Sequence, residues 1–523
     1  MRSVAILLAC RRRELPFAVT QLAFAANRPN RPASPANGPS MVTPARVGCL
    51  SFAAANLSFH ASLKFSRSGS TWLFTGGQSR CYQKRNQQKG TPVKRSVLAA
   101  SVFSLALPAF AQIPDKLAED AYLYGYSMDE AYTFFHETAV KTDTPLNRFQ
   151  NIRHLADDTY TDHPTINNDT LHLMGWLDVA AEPVIVSVPD MDKGRYWILH
   201  TMDMGHYTTS MIGSRTRGNQ GGHFMFAAQD WKGEVPGSVT EVIRVDSNLV
   251  KLMGRIMATG PADEKVALGY MDDWNVRTLS AYLGVSGPKP KQRVYLDPAT
   301  SNWLQRVNFL LCDGSMGQAD RKWLEQYKAV GVEPCKTDFT EEQLAAARQG
   351  EALGIKHIQD LAPKMTDAGK LLGTRKQLAD GPRDLFAEGT YIGQWGLPPD
   401  ETVYLQAVKG SDGEPINGAN GKTYRLHFKA PDVSQFWSFT VYGTDNRFMA
   451  HNALNRHSRG DRTLKPDADG NYTLELAANG DASNPNYLPI PQKDVYIVLR
   501  MYGPSKAVQG GAYKFPQVEV VKP

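Results

Sequence analysis

The chain has 523 residues, with 58 Lys and Arg against 52 Asp and Glu, and a formal net charge of +6. The excess sits at one end: residues 1–111 hold 15 of the basic side chains and one acidic side chain, Glu14, leaving 43 against 51 and a net charge of −8 in the rest. A mildly acidic body of 412 residues excludes a nucleic-acid binder and is long enough for two domains.

Residues 1–92 are rich in Arg, Pro, Ser, Ala and Asn and lack sustained periodicity, so they cannot bury a core. They read as a disordered leader or as the product of a start assigned too far upstream, since a valine codon such as that of Val93 can open a bacterial chain. Residues 93–111 have the layout of a signal peptide. Lys94 and Arg95 lead, Val97 to Leu107 are mostly apolar, and Ala109-Phe110-Ala111 forms a small-x-small cleavage site before Gln112. Ser101, Ser104 and Pro108 interrupt the run, which falls short of the roughly 20 residues that span a bilayer. The expectation is a periplasmic or secreted protein, cut between Ala111 and Gln112, with no integral membrane segment in its mature chain. Of five cysteines only Cys312 and Cys335 follow the signal. They form either a disulfide or two separate thiols.

Residues 112–150 carry apolar positions at helical spacing after Pro114 and predict a helical lead-in. Residues 151–250 change to short alternating runs such as "PVIVSVPD" and "RYWILHTMD", which predict a first β-sandwich. Residues 251–395 read as a helical or mixed linker, with "SNLVKLMGRIMATG" taken as helix at its start and a capping pair, Thr340 and Gln343, opening its longest helix. Residues 396–523 return to strand pattern and predict a second sandwich. The fold class is mainly β with helical segments, two sandwiches joined by a helical linker.

Several strings resemble two bacterial families of unknown function that occur in tandem. "PTINNDTLHLMGWLDVAAEPVIVSVPD", "IGSRTRG" and "WKGEVPG" are similar to domain-of-unknown-function family 1254. "FWSFTVYGTDNRFMAHNALNRHSRGDR" and "DVYIVLRMYGPSKAVQGGAYKFPQV" are similar to family 1214. The resemblance covers about residues 115–520. It implies a pair of jelly-roll-like sandwiches, commonly exported, with no agreed activity. After Asp203, where members of the first family often carry an aromatic residue and then Thr-Asn, this chain has Met204-Gly205-His206-Tyr207.

Chemistry-bearing residues fall in loops. "HPTINNDT" gathers Asn167, Asn168 and Asp169, which either orient a general base and bind substrate or merely close an Asx turn. "HTMDMGH" offers Asp203 and His206 as further catalytic candidates and leaves a metal ion open, although no zinc spacing is present. "GSRTRG" supplies Arg215, either an anion clamp or an internal ion-pair partner. In the second sandwich "NALNRHSRGD" presents Asn455, Arg456 and Asp461, which either lock their loop or line a polar cleft between the sandwiches. No nucleotide, flavin or other cofactor motif is evident. Two readings follow. One is an exported hydrolase acting on a polar small molecule, glycan or peptide-like group, with Asp169 or Asp203 as base. The other is a non-enzymatic ligand-binding or self-assembling envelope protein, which as a homo-oligomer would bury flat sheet faces.

Overall fold

Each strand-patterned tract folds into two stacked sheets, and the alternation of its side chains decides which face is buried. The computed structural model describes residues 112–521 except 162–163, 365–370 and 380. Residues 1–111, where a leader and a signal peptide are expected, lie outside the described residues.

The first tract forms β1 (Arg148–Ile152), β2 (Thr170–Asp178), β3 (Val184–Val188), β4 (Trp197–Asp203), β5 (Thr208–Gly213), β6 (Gly222–Ala228), β7 (Glu241–Val245), β8 (Leu249–Met257) and β9 (Asn275–Thr278). One sheet has the order β1-β2-β8-β4-β5 and its partner β7-β6-β3-β9. Leu171, Leu173, Trp197, Leu252 and Ile256 of the first meet Val184, Val186, Phe224 and Phe226 of the second in one core.

The second tract forms β10 (Thr402–Ala407), β11 (Ile416–Asn417), β12 (Thr423–Lys429), β13 (Val433–Gly443), β14 (Ser458–Gly460), β15 (Asn471–Ala477), β16 (Tyr487–Pro489), β17 (Asp494–Pro504) and β18 (Glu519–Val521). The order β10-β17-β13-β14 faces β16-β15-β12-β18. Strand β12 shows the pattern plainly: Tyr424, Leu426 and Phe428 are buried while Arg425, His427 and Lys429 are exposed. Trp437, Phe439, Leu499 and Met501 fill the core opposite them.

Residues 249–257 are a strand, β8, and not the start of a helix. All nine of its residues are buried. A strand covered on both faces loses the apolar-polar alternation that marks a half-exposed one, and its apolar residues then match helical spacing by accident. The cover on its second face comes from the helices. Met174, Trp176, Met202 and Met253, on the face of the first sheet away from its partner, share a core with helix Asp115–Phe135, helix Trp303–Cys312 and helix Glu341–Leu361. The helical residues therefore form a layer on the first sandwich. Helix Glu341–Leu361 begins with the reciprocal Thr340 and Gln343 capping bonds. It lies so close to helix Asp115–Phe135 that a Cβ on Gly350 would stand 2.2 Å from the Ala118 carbonyl oxygen and one on Gly354 2.5 Å from Tyr122. A disulfide joins Cys312 to Cys335, with their Cα atoms 4.8 Å apart. On the helix-covered side of β8, Lys251 is buried with its ammonium 4.7 to 5.9 Å from the rings of Trp176, Phe134 and Trp395.

The sandwiches touch through their outer faces. Tyr196, Ile198 and Met257 of the first pack on Phe436 and Tyr502 of the second. Glu401, buried where β10 begins, accepts from the Tyr196 hydroxyl at 2.9 Å and from Arg215 Nε at 2.6 Å. These contacts fix the walls between which a site can form.

Candidate functional site

A cleft of about 390 Å³ opens between the sandwiches, beside the start of β2 on one side and around β14 on the other. Asn168, Asp169, Asn455, Arg456 and Asp461 all line it. Two loops separated by almost 300 residues thus meet there.

Asp169 is positioned by a turn that its own neighbours build. The Asn167 side-chain oxygen accepts from the Asp169 and Thr170 backbone N–H groups and from the Thr170 hydroxyl, each at 3.0 Å. This is an Asx turn opening the strand. Asn168 donates to the Ala156 carbonyl at 2.6 Å. The Asp169 carboxyl then reaches across to the second sandwich. Ser438 donates to its Oδ2 at 2.7 Å, and the Ser458 hydroxyl lies 3.3 Å from Oδ1. Burial raises the Asp169 pKa, against the hydroxyl of Ser438 and the charges of Arg500 and Arg462. Asp461 is raised too, chiefly by burial and in smaller part by the charge of Asp169, against the charge of Arg462, whose Nε lies 3.9 Å away, and the Trp437 backbone.

The basic residues of the cleft divide by role. Arg456 donates to the carbonyls of Ala482, Asn484 and Tyr487 and so ties down the loop before β16. Arg459 donates to the Ser458 carbonyl at 3.2 Å, and its Nε is buried without a partner. Burial and the neighbouring Arg456 lower its pKa to about 10. Among the described residues no carboxylate pairs with it. Arg462 also lines the cleft, with its Nε 3.9 Å from Asp461 Oδ1. His457 is buried and bonded to Asn455 at 2.8 Å, and burial lowers its pKa against the pull of Asp158.

The remaining candidates lie elsewhere. Asp203 is buried in the turn between β4 and β5, where Oδ1 accepts from the Gly205 and Tyr207 N–H groups and Oδ2 from Arg375 at 2.9 Å. Its pKa is raised by burial despite Arg375. His206 takes a left-handed backbone, φ 70°, and stacks on Trp395 with ring centres 4.4 Å apart. Burial drives its pKa down to about 3, so it stays neutral. Arg215 faces Glu401. Neither Asp203, His206 nor Arg215 lines the cleft. Neither Asp203 nor Arg215 therefore joins Asp169 at the cleft. Among the described residues no group of His, Cys, Asp or Glu is placed to hold a metal ion, and no helix is long and apolar enough to cross a membrane.

Sequence reasoning missed Ser438 and Ser458. The signal for Ser438 was present in "FWSFTVY", where Ser438 and Thr440 are the polar residues of an otherwise apolar strand and share a face.

The fold and this shared cleft define a tandem two-sandwich protein, and the chain belongs to the family that joins the protein of unknown function DUF1254, matched at residues 146–277, to the protein of unknown function DUF1214, matched at 401–506. It is similar to the VPA0106 protein from Vibrio parahaemolyticus, whose crystal structure shares 64% sequence identity, with a TM-score of 0.71, over 78% of this chain and 100% of that one. An uncharacterized protein from Burkholderia cenocepacia matches at 13% identity and a TM-score of 0.40, over 77% of this chain and 88% of that one. No curated protein matches the chain.

Proposed function

We propose that this is an exported hydrolase acting on a polar, glycan-like or peptide-like substrate held between the sandwiches. The observation that carries the reading is the pair of carboxyls, Asp169 and Asp461, both raised by burial at one polar cleft. Two carboxyls of one site do hydrolytic work when one is charged and the other protonated. Asp169, with Ser438 and two arginines favouring its anion, is the base. Asp461, raised by burial against the charge of Arg462 and opposed in part by that of Asp169, is the acid. Water adds to the electrophilic carbon as Asp169 takes its proton. The bond from that carbon to the leaving heteroatom breaks, and Asp461 protonates the heteroatom. Arg459 holds a polar or anionic group of the substrate. The Cys312–Cys335 disulfide supports export, since such bonds persist in oxidising compartments.

The test is a panel of chromogenic glycosides, esters and amides offered to the purified chain and to Asp169→Asn. Hydrolysis of one class by the parent and a loss of about 100-fold or more in the variant is expected. No hydrolysis of any class, or equal rates in both proteins, overturns the reading. Protein recovered from its native cell is expected to begin at Gln112, and an intact amino terminus would remove the export claim.

A further inference from the structure

A second, smaller cavity of about 130 Å³ lies between the outer faces of the two sandwiches and is bounded on a third side by residues 389–396. Its floor is buried: Met174 and Met253 of the first sandwich, Val498 and Tyr502 of the second, and Leu372 and Trp395 between them. Its rim, with Ile166, Ile392, Tyr404 and Leu405, is only half-buried. Close packing sets this shape. A Cβ on Gly389 would stand 2.5 Å from Leu371 Cβ, and one on Gly396 2.5 Å from Leu372 Cδ1, so the two glycines let residues 371–372 lie against the segment that forms the third wall.

The polar side chains of the wall are engaged within the protein. Arg500 donates to Thr440 Oγ1 at 3.1 Å and to the Thr165 carbonyl at 2.5 Å. Arg255 Nη2 contacts the Trp395 carbonyl at 3.2 Å and Met253 Sδ at 2.9 Å. The Tyr404 hydroxyl accepts from the Leu397 N–H at 3.1 Å, and the Thr165 hydroxyl is bonded to that of Tyr496 at 2.7 Å. The unpaired donors nearby, Arg255 Nη1, Gln394 Nε2 and Trp395 Nε1, have no accessible surface and so are closed off from a guest. No Asp or Glu is among the lining residues. What the floor presents is therefore chiefly hydrocarbon, thioether and aromatic ring. Water held there finds few partners, and an apolar guest replaces it at a gain.

A cavity of roughly 150 Å³ with apolar walls takes up benzene, which fixes the size of the guest. Three features favour a ring over a saturated molecule. Met174 and Met253 place two thioethers in the floor, and sulfur gains from contact with a ring edge. Trp395 and Tyr502 offer rings for edge-on or offset packing. Arg255 and Arg500 are buried cations of the same wall, and the negative face of a ring compensates a guanidinium without needing a free N–H. We propose that this cavity binds a neutral, single-ring aromatic molecule of about six to eight non-hydrogen atoms. A charged head would lose its water there and meet no open donor.

Calorimetric titration and thermal-shift measurements with toluene, cyclohexane and benzoate test this on the purified chain. Toluene is expected to bind about tenfold or more tightly than benzoate and about threefold or more tightly than cyclohexane. Two variants locate the site. Gly393 lines the cavity, and a Cβ on it would have nothing within 4 Å, so Gly393→Leu suits the fold and narrows the space left for a guest. It is expected to lose about tenfold or more in toluene affinity. Met253→Leu keeps the volume and removes one thioether, with a loss of about threefold expected. Benzoate binding as tightly as toluene, cyclohexane matching toluene, affinity unchanged in both variants, or no toluene binding by the folded parent overturns the proposal. Asp169→Asn, which removes the proposed hydrolysis, is expected to bind toluene like the parent, so the two readings fail separately.

Discussion

Ser438 of the second sandwich donates its hydroxyl to the buried carboxyl of Asp169 of the first at 2.7 Å, across 269 positions of sequence. The bond does two things. It fixes where the carboxylate lies, and it favours the anion that burial opposes. Ser438→Ala removes only the bond. Asp169 is then expected to titrate at higher pH, and the acid limb of any hydrolytic pH profile is expected to move up by about one unit, with the protein still folded. An acid limb that stays in place would count against Asp169 as the base.

The same assignment predicts a bell-shaped dependence of rate on pH. Activity rises as Asp169 loses its proton and falls as Asp461 loses its own. Both carboxyls are raised, so the bell is expected at higher pH than an unperturbed carboxylate pair would give. Asp461→Asn is expected to abolish the falling limb and lower the maximum by about 100-fold. A profile flat from pH 4 to 8 in the parent would refute the pairing.

Arg215 and Glu401 form a tie between the sandwiches, the acid almost fully buried and the arginine partly exposed. Arg215→Ala leaves the carboxylate uncompensated and is expected to cost about 3 kcal/mol in urea unfolding. An anion clamp would instead show an unchanged unfolding midpoint and a raised KM.

Lys251 makes stability depend on pH. Burial lowers its pKa to about 7. Between pH 7 and the usual lysine value near 10.4, the unfolded chain binds a proton that the fold does not, so this group makes stability rise with pH across that window. Below pH 7 both states are protonated and a cost of a few kcal/mol remains. Lys251→Met is expected to raise stability at pH 6 by that amount and to flatten the rise up to pH 9. Unfolding curves at pH 6, 7.5 and 9 check this, and parallel slopes in parent and variant would contradict it.

Loss of the Cys312–Cys335 disulfide, which closes a loop across 23 positions, is expected to cost about 3 kcal/mol. Calorimetry of the double serine variant, with and without reductant, measures it. A melting temperature equal to that of the oxidised parent would show that the bond contributes nothing.

Much of the architecture was legible in the sequence because exposed strands write their burial as alternation, as β12 does, and because Thr340 and Gln343 mark a helix start by their chemistry. Strand β8 was not legible, since a partner's cover is a tertiary fact that erases the period of two. The cleft was half legible. Asp169 and Asp461 belong to polar loops that any reading singles out, but that they line one cleft depends on how two sandwiches dock. The placing of Asp203 and His206 away from the cleft was illegible for the same reason: their partners, Arg375 and Trp395, come from a distant segment that packs on the turn.

Consider finally Tyr196, Ile198 and Met257, which rest on Phe436 and Tyr502. The two family matches divide the chain between these groups, yet each group is the other's shelter from water. A gene fragment encoding either half alone would present a greasy plate with Glu401 or its two donors stranded at the rim. The borders drawn by sequence similarity therefore run through a shared apolar contact, which cutting the polypeptide there would lay open to water.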